Sequence, residues 1–229
     1  MTELALALAA FVGTHFLLSH PLRAALAGRL GAMGFQILYS LVALGTFGWV
    51  ILAFQRAPAT LPLWIAPEWL WAAASAIMLV GAILLAGSFF GNPALPAPGA
   101  KALAGRPPRG VFAITRHPMM WSFALWALVH AAVAPNIATL LLTGAVGFLA
   151  LAGSAGQDSK KRVLMGDAWG DWASKTSFWP LANQIAGRAG WPSAWPGRTP
   201  FLLGVVIWLV ACWLHPRFGL PLVGPWRWQ

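Results

Sequence analysis

The sequence contains a single cysteine, a single tyrosine and five acidic residues among its 229 positions. The lone Cys212 excludes an intramolecular disulfide and a cysteine-rich zinc site. None of the five acids falls in the interior of a predicted span, which argues against a carboxylate-bridged di-metal centre in a helix bundle. The sequence also lacks the phosphate-loop, HExxH and GxSxG motifs, so these common routes to catalysis are absent.

Charged residues of either sign are few, and long apolar runs make up much of the chain. Charged residues make up 9% of the chain and hydrophobic residues 59%, whereas about a quarter of an ordinary soluble domain is charged. Apolar stretches near the length of a membrane helix recur along the chain. The sequence therefore predicts an all-α, polytopic transmembrane bundle of about six spans, at residues 3–20, 33–54, 69–90, 118–134, 137–155 and 201–214.

Basic residues predict the orientation of these spans. With both termini on the periplasmic side, three of the 15 basic residues fall outside (Arg56, Arg217 and Arg227) and the other 12 fall in cytoplasmic segments. Such a bias follows the positive-inside rule and predicts a multi-pass protein of a bacterial inner membrane, in contact with lipid. The first span lacks a basic n-region and is expected to be retained. No dense basic patch points to nucleic acid.

Two polar segments separate the spans on the cytoplasmic side. Residues 92–110 are rich in proline and glycine, which predicts a loop without regular helix. Residues 157–199 form the longest polar segment. Within it, the stretch from Asp158 to Trp172 combines basic and aromatic residues. This composition is typical of a surface helix that lies on anionic lipid, and it predicts such a helix here. A lid over the bundle is the alternative interpretation.

The stretch from Ile114 to His130 begins with a charged corner and continues as an apolar helix. Pro118 suits the first turn of a helix, where its missing N–H costs nothing. Arg116 and His117 are therefore expected at the membrane surface. His130 follows His117 by 13 positions, which is about 20 Å along a helix and about 140° around it, so these two histidines cannot share one metal atom.

Of the five histidines, His15 and His130 lie several residues inside predicted spans. An ionisable side chain at that depth is costly and indicates function by default, although a neutral histidine bonded to a serine or carbonyl is the structural alternative. His20 and His215 stand at span edges before prolines, where an interfacial capping role is as good an explanation. The helix geometry separates His15 from His20 by about 140°, so a bis-histidine site has to use two helices.

His15 and His130 are the natural pair for such a site. Residue counting puts them about 10 Å apart in depth, which suits ligands on opposite faces of a planar macrocycle better than a compact metal cluster. Neutral imidazole is a common haem ligand. His15 and His130 are therefore the predicted ligands of a haem iron.

The motifs at 114–118 and 126–130 resemble the membrane family named NnrU, whose relatives include the ζ-carotene isomerases. The likeness extends to the ends of the chain and implies a single transmembrane domain over residues 1–229. Further matching positions are Thr14, His15, Arg23, Asp158, Lys161, Gly166, Trp169, His215 and Pro216.

The resemblance implies one of two haem-linked functions. NnrU proteins are connected with nitrite and nitric oxide reduction in denitrification, which implies reductase components as partners. The isomerases use b-type haem to convert a cis double bond of ζ-carotene, and their two ligand histidines match His15 and His130, so the resemblance implies a b-type haem here. His20 departs from the isomerase pattern and leaves the first-span ligand open. Arg116 and His117 are expected to anchor haem propionates. A cofactor-free role in reductase assembly is a further alternative.

The R-H-P element also resembles the isoprenylcysteine methyltransferases, which bind S-adenosylmethionine. Here Asp158 stands where those enzymes are expected to carry a glutamate, and Trp169 and Trp172 stand where they carry tyrosines. These departures weaken the methyltransferase interpretation, which also leaves His15 and His130 without a role.

Overall fold

The computed structural model describes residues 1–95 and 99–229, and within those ranges every regular element is helical. The described residues form ten α-helices, and 3₁₀ turns cover Trp191–Ala194, His215–Phe218 and Gly224–Trp228. The α-helices are α1 (Thr2–Ser19), α2 (Arg23–Gln55), α3 (Glu68–Gly87), α4 (Ala100–Ala104), α5 (Val111–Ile114), α6 (Pro118–Val133), α7 (Ile137–Met165), α8 (Asp167–Lys175), α9 (Ala182–Ile185) and α10 (Arg198–Leu214).

Five of the helices in the described ranges are long and apolar enough to cross a membrane: α1, α2, α3, α7 and α10, the last counted with the turn that follows it. The sixth apolar helix, α6, is shorter and has 16 residues. Large side chains such as Leu41 and Leu44 are 63% and 67% exposed. Apolar surface of this extent is unusual on a soluble protein, and it identifies the chain as a helical membrane protein.

The long helices pack in an order that differs from their order in the chain. Each contacts the next in the series α2, α1, α7, α6, α3 and α10. Helix α7 therefore joins the α1–α2 hairpin to the other helices. At one end of this junction Leu4, Leu8 and Ala138 belong to one buried apolar cluster.

Glycine breaks the second long helix near the start of the predicted span. Gly31 has φ +71° and ψ 170°, a conformation that side chains with a Cβ disfavour. The preceding turns from Arg23 are helical but lie before the span predicted over 33–54. The predicted span therefore corresponds to the part of α2 after this break.

The surface helix predicted from Asp158 to Trp172 is divided differently in the structure. Helix α7 continues without interruption to Met165, ten residues beyond the predicted end of the span, and Gly166 then separates it from α8. Trp169 is fully buried and Trp172 is 2% exposed. These tryptophans pack inside the protein and do not lie on lipid, because Phe112 and the α4 segment cover them.

The prediction that residues 92–110 contain no regular helix is wrong at α4. Five residues between Gly99 and Gly105 form a short helix, and its Ala104 is fully buried. The tertiary contact with α8 stabilises a helix that local composition disfavours. Residues 96–98 of this predicted loop lie outside the described part of the chain.

The close approach of α3 and α10 depends on Gly204. A Cβ at this position would lie 2.6 Å from Ile83 Cα and 2.8 Å from its backbone nitrogen. Gly204→Ala is therefore expected to cost about 1–3 kcal/mol of stability through overpacking, measured as a lower unfolding temperature in detergent. Gly48→Ala is the matched control, because no atom beyond its own helix lies within 4 Å of the added Cβ. Equal unfolding temperatures for the two variants would contradict the prediction.

Candidate functional site

A buried ion pair joins the start of α6 to the extension of α7. Helix α5 ends at Ile114, Thr115 is extended, and the chain turns into α6 at Pro118. Within this corner, Arg116 donates from Nε and Nη2 to Asp158 Oδ2 at 2.9 and 2.6 Å. The two side chains are 12% and 8% exposed. Such a two-point guanidinium–carboxylate pair has a fixed geometry as well as a strong charge interaction.

His117 lies on the other side of the same carboxylate. Its Nε2 is 2.8 Å from Asp158 Oδ1, and its Nδ1 is 3.1 Å from Gln157 Oε1. The Gln157 amide nitrogen donates to the Ala94 carbonyl, which orients the amide oxygen toward the ring. Both ring nitrogens therefore face oxygen acceptors, and both can donate when the imidazole is doubly protonated.

The segment after α8 closes over this corner through backbone carbonyls. Thr115 Oγ1 donates to the Phe178 carbonyl at 2.7 Å, and Trp121 Nε1 donates to the same oxygen at 2.9 Å. The Arg116 backbone N–H donates to the Ser177 carbonyl at 2.9 Å. These bonds hold the corner independently of its charges.

Lys161 completes a cluster of Arg116, His117, Gln157, Asp158 and Lys161, which we call the cytoplasmic cluster after the side of the membrane on which the sequence predicts it. It is 7% exposed, and its Nζ donates to the Pro93 carbonyl at 3.1 Å. A cavity of about 30 Å³ adjoins His117, which is room for one water molecule.

Within the cytoplasmic cluster Arg116 and His117 both bond to Asp158, and their assignment as propionate anchors stays a prediction. Two guanidinium nitrogens of Arg116 bond to Asp158, and the His117 side chain is fully enclosed. In this arrangement both side chains hold the end of the bundle together. Sequence reasoning named Lys161 only as a motif position and missed Gln157 as a partner of His117.

His15 faces the α1–α2 interface. Its Nδ1 is 2.7 Å from the Phe11 carbonyl one turn earlier. The ring meets Phe11 edge-on at 4.4 Å between centroids, and Tyr39 of α2 at 5.5 Å. The only tyrosine of the chain is thus a neighbour of this histidine.

His130 lies in a different environment, near the end of α6. Its Nδ1 is 2.8 Å from the Trp126 carbonyl, and its ring stacks on Trp126 at 4.3 Å between centroids. The ring of His215, which follows α10, is 6.3 Å away at an interplanar angle of 25°. His215 bonds the Ala211 carbonyl through Nδ1 at 2.7 Å.

His15, His130 and His215 share one hydrogen-bonding arrangement. In each, Nδ1 must carry the proton, because its partner is a backbone carbonyl that can only accept. The Nε2 lone pair then remains available, which is the arrangement that a metal-bound imidazole requires. No group of three or more His, Cys, Asp or Glu side chains is placed to bind a metal ion within residues 1–95 and 99–229.

The structure does not bring His15 and His130 together. Ala138 of α7 packs with the first turns of α1, whereas Gly147 approaches Ala127 of α6. Positions nine residues apart lie about 180° apart around a helix, so α1 and α6 occupy opposite faces of α7. The pairing of these histidines on one iron stays a prediction.

A comparison with protein families assigns the cluster and the histidines to one family domain. The model described as NnrU protein matches residues 3–221 of the chain. The chain belongs to the NnrU family. No curated protein and no solved structure matches it. The match spans all five histidines and the whole cytoplasmic cluster, so both sites lie within the NnrU domain.

Asp158 supplies the negative charge of the cytoplasmic cluster in this NnrU protein. Asp158→Asn is expected to destabilise the folded protein by about 3 kcal/mol or more, because it leaves Arg116 buried without its counter-charge. Thermal unfolding in detergent measures the loss. Asp171→Asn, at an exposed position of α8, removes the same charge and is expected to unfold near the wild-type temperature. Equal loss in both variants would mean that net charge, and not the ion pair, is responsible.

Proposed function

We propose that this NnrU protein is a membrane haem protein that binds a b-type haem with His130 as an axial ligand. The observation that supports the proposal is the neutral imidazole of His130, which is held by a backbone carbonyl and has an unused Nε2. The fit rests on the chemistry of the donor: imidazole nitrogen is a regular axial ligand of haem iron. Two partners are open to His130, namely His15 from the resemblance and His215 from proximity.

The residues around His130 prepare it for that role. The bond from Nδ1–H to the Trp126 carbonyl selects the tautomer and increases the basicity of Nε2. Stacking on the Trp126 ring restricts rotation of the imidazole. The surrounding helices partly bury the imidazole, while the haem, when bound, would supply the redox and ligand-exchange chemistry.

Absorption spectra of detergent-purified protein test haem binding. The wild type is expected to give a low-spin b-type spectrum when oxidised and when reduced with dithionite, and His130→Ala is expected to lose most of it. His20→Ala is the control, because His20 is an exposed histidine at the far end of α1. A colourless wild type, even after reconstitution with haem, would refute the proposal.

The haem serves nitrogen-oxide respiration in this proposal, in concert with nitrite or nitric oxide reductase components. The bound haem would supply the binding chemistry for a small gas such as nitric oxide, while His130 would hold the group. A nitric-oxide-dependent shift of the reduced spectrum supports this role. Co-purification of a colourless protein with a reductase subunit would instead support the cofactor-free assembly role.

A haem-dependent polyene isomerase is the second candidate function, and one feature favours it. A groove of about 340 Å³ runs between α6 and α7 and is open to the outside. Small residues such as Ala124, Ala127, Gly144 and Gly147 line it, and they leave room for an extended apolar chain. Conversion of a cis-polyene by the reduced protein alone would favour this function over the gas-binding role.

We propose that the protein crosses the bacterial inner membrane six times, with both termini outside. The 16 residues of α6 span about 24 Å, slightly less than the hydrocarbon core. A membrane-impermeant thiol reagent tests the topology, because the native Cys212 is buried. Leu61→Cys is expected to react in spheroplasts, and Val163→Cys only after permeabilisation. Both positions are highly exposed, at 88% and 86%. Labelling of Val163→Cys without permeabilisation would exclude a crossing by α6.

A further inference from the structure

Among the other histidines, His215 lies beside His130 in the fold. This contact distinguishes between the two possible pairs of haem ligands, His15 with His130 and His130 with His215. The sequence separates these histidines by 85 positions, yet their ring centroids are 6.3 Å apart. His15 instead contacts Phe11 and Tyr39. The inference drawn from this difference rests on the proposed haem binding, and it concerns which residue is the second ligand.

The separation of the two rings agrees with the span of a bis-imidazole complex. A metal–imidazole bond is about 2.0 Å long and the ring centre lies about 1.1 Å behind the nitrogen, so opposed imidazoles on one metal have centroids about 6.2 Å apart. The observed 6.3 Å agrees with this value. The interplanar angle of 25° shows that the two rings are nearly parallel.

Hydrogen bonding makes both rings suitable donors. Each Nδ1 bonds a carbonyl one turn back in its own helical segment, Trp126 for His130 and Ala211 for His215. Each Nε2 is thereby turned away from its own backbone with its lone pair available. Both bonds are formed within the segment that carries the histidine, so neither needs rearrangement when a metal binds.

The surface beside His130 suits the edge of an apolar macrocycle. Phe123, Trp126 and His130 follow at intervals of three and four residues and therefore share one face of α6. Phe123 is 41% exposed, so an aromatic side chain on this face is only partly covered. This face is where a flat, mostly apolar cofactor would be expected to pack.

We propose that His130 and His215 are the two axial ligands, and that His15 is a packing residue of the α1–α2 interface. The haem then lies where α6 meets the turn after α10. His15 fills the space beside Tyr39 and satisfies its own Nδ1–H within α1.

Ligand-deletion spectra with imidazole rescue test the proposal on the full-length protein. His130→Gly and His215→Gly are each expected to convert the haem from low spin to high spin, and added imidazole is expected to restore the low-spin spectrum. His15→Gly is expected to keep the low-spin spectrum without imidazole. His20→Gly serves as the control for removing a histidine elsewhere. A low-spin state that is lost in His15→Gly, restored there by imidazole and retained in His215→Gly would overturn the proposal.

His215→Met covers the case in which the glycine variant does not fold. Replacement of imidazole by thioether on the iron raises the reduction potential, so His215→Met is expected to have a higher potential and a changed spectrum. His15→Met is expected to leave both unchanged, and a shift in His15→Met without one in His215→Met would refute the assignment. A wild type without haem refutes the proposed function itself, which is a different result from a haem protein ligated by His15.

Discussion

A carboxylate that leaves water has to find a counter-charge in the protein, and Asp158 finds it in Arg116 at the start of α6. Arg116 and His117 approach one carboxyl group from two sides, in side chains that are almost fully enclosed. Because removal of Arg116 or Asp158 leaves the charge of the other uncompensated, the corner before α6 and the end of α7 are held in one relative position. The carbonyls of Ser177 and Phe178 then attach the segment after α8 to the same corner.

This constraint has consequences along the whole of α6. With its first turn held by the cytoplasmic cluster, the helix carries Trp126 and His130 to the opposite end, where His130 meets the turn after α10. The two sites of the molecule therefore lie near the two ends of one short helix. The cluster positions α6, which is consistent with the enclosure of its own charged side chains, and in the proposed function the histidines would hold the haem.

Local signals in the sequence predicted several elements well. Pro118 begins α6, and Asn136 caps α7 by accepting from the Thr139 N–H. Apolar runs predicted the long helices, because burial in lipid requires them wherever the chain crosses. The same reasoning could not find the end of α7, since the residues beyond Ala155 are polar and their burial depends on groups distant in sequence. Lys161, for example, is accommodated by the carbonyl of Pro93.

By itself, the sequence determined that this is a helical membrane protein of the NnrU family, because hydrophobic length and short motifs are properties of the chain alone. It also identified His15, Arg116, His117 and His130 as residues of interest. Only the tertiary structure decided which of them meet. Helix α7 separates α1 from α6. The Asp158 carboxylate bonds to the side chains of Arg116 and His117, and the ring of His215 lies beside that of His130. Contacts between residues 40 or more positions apart depend on how the helices pack, and a span's hydrophobicity carries no information about its neighbours.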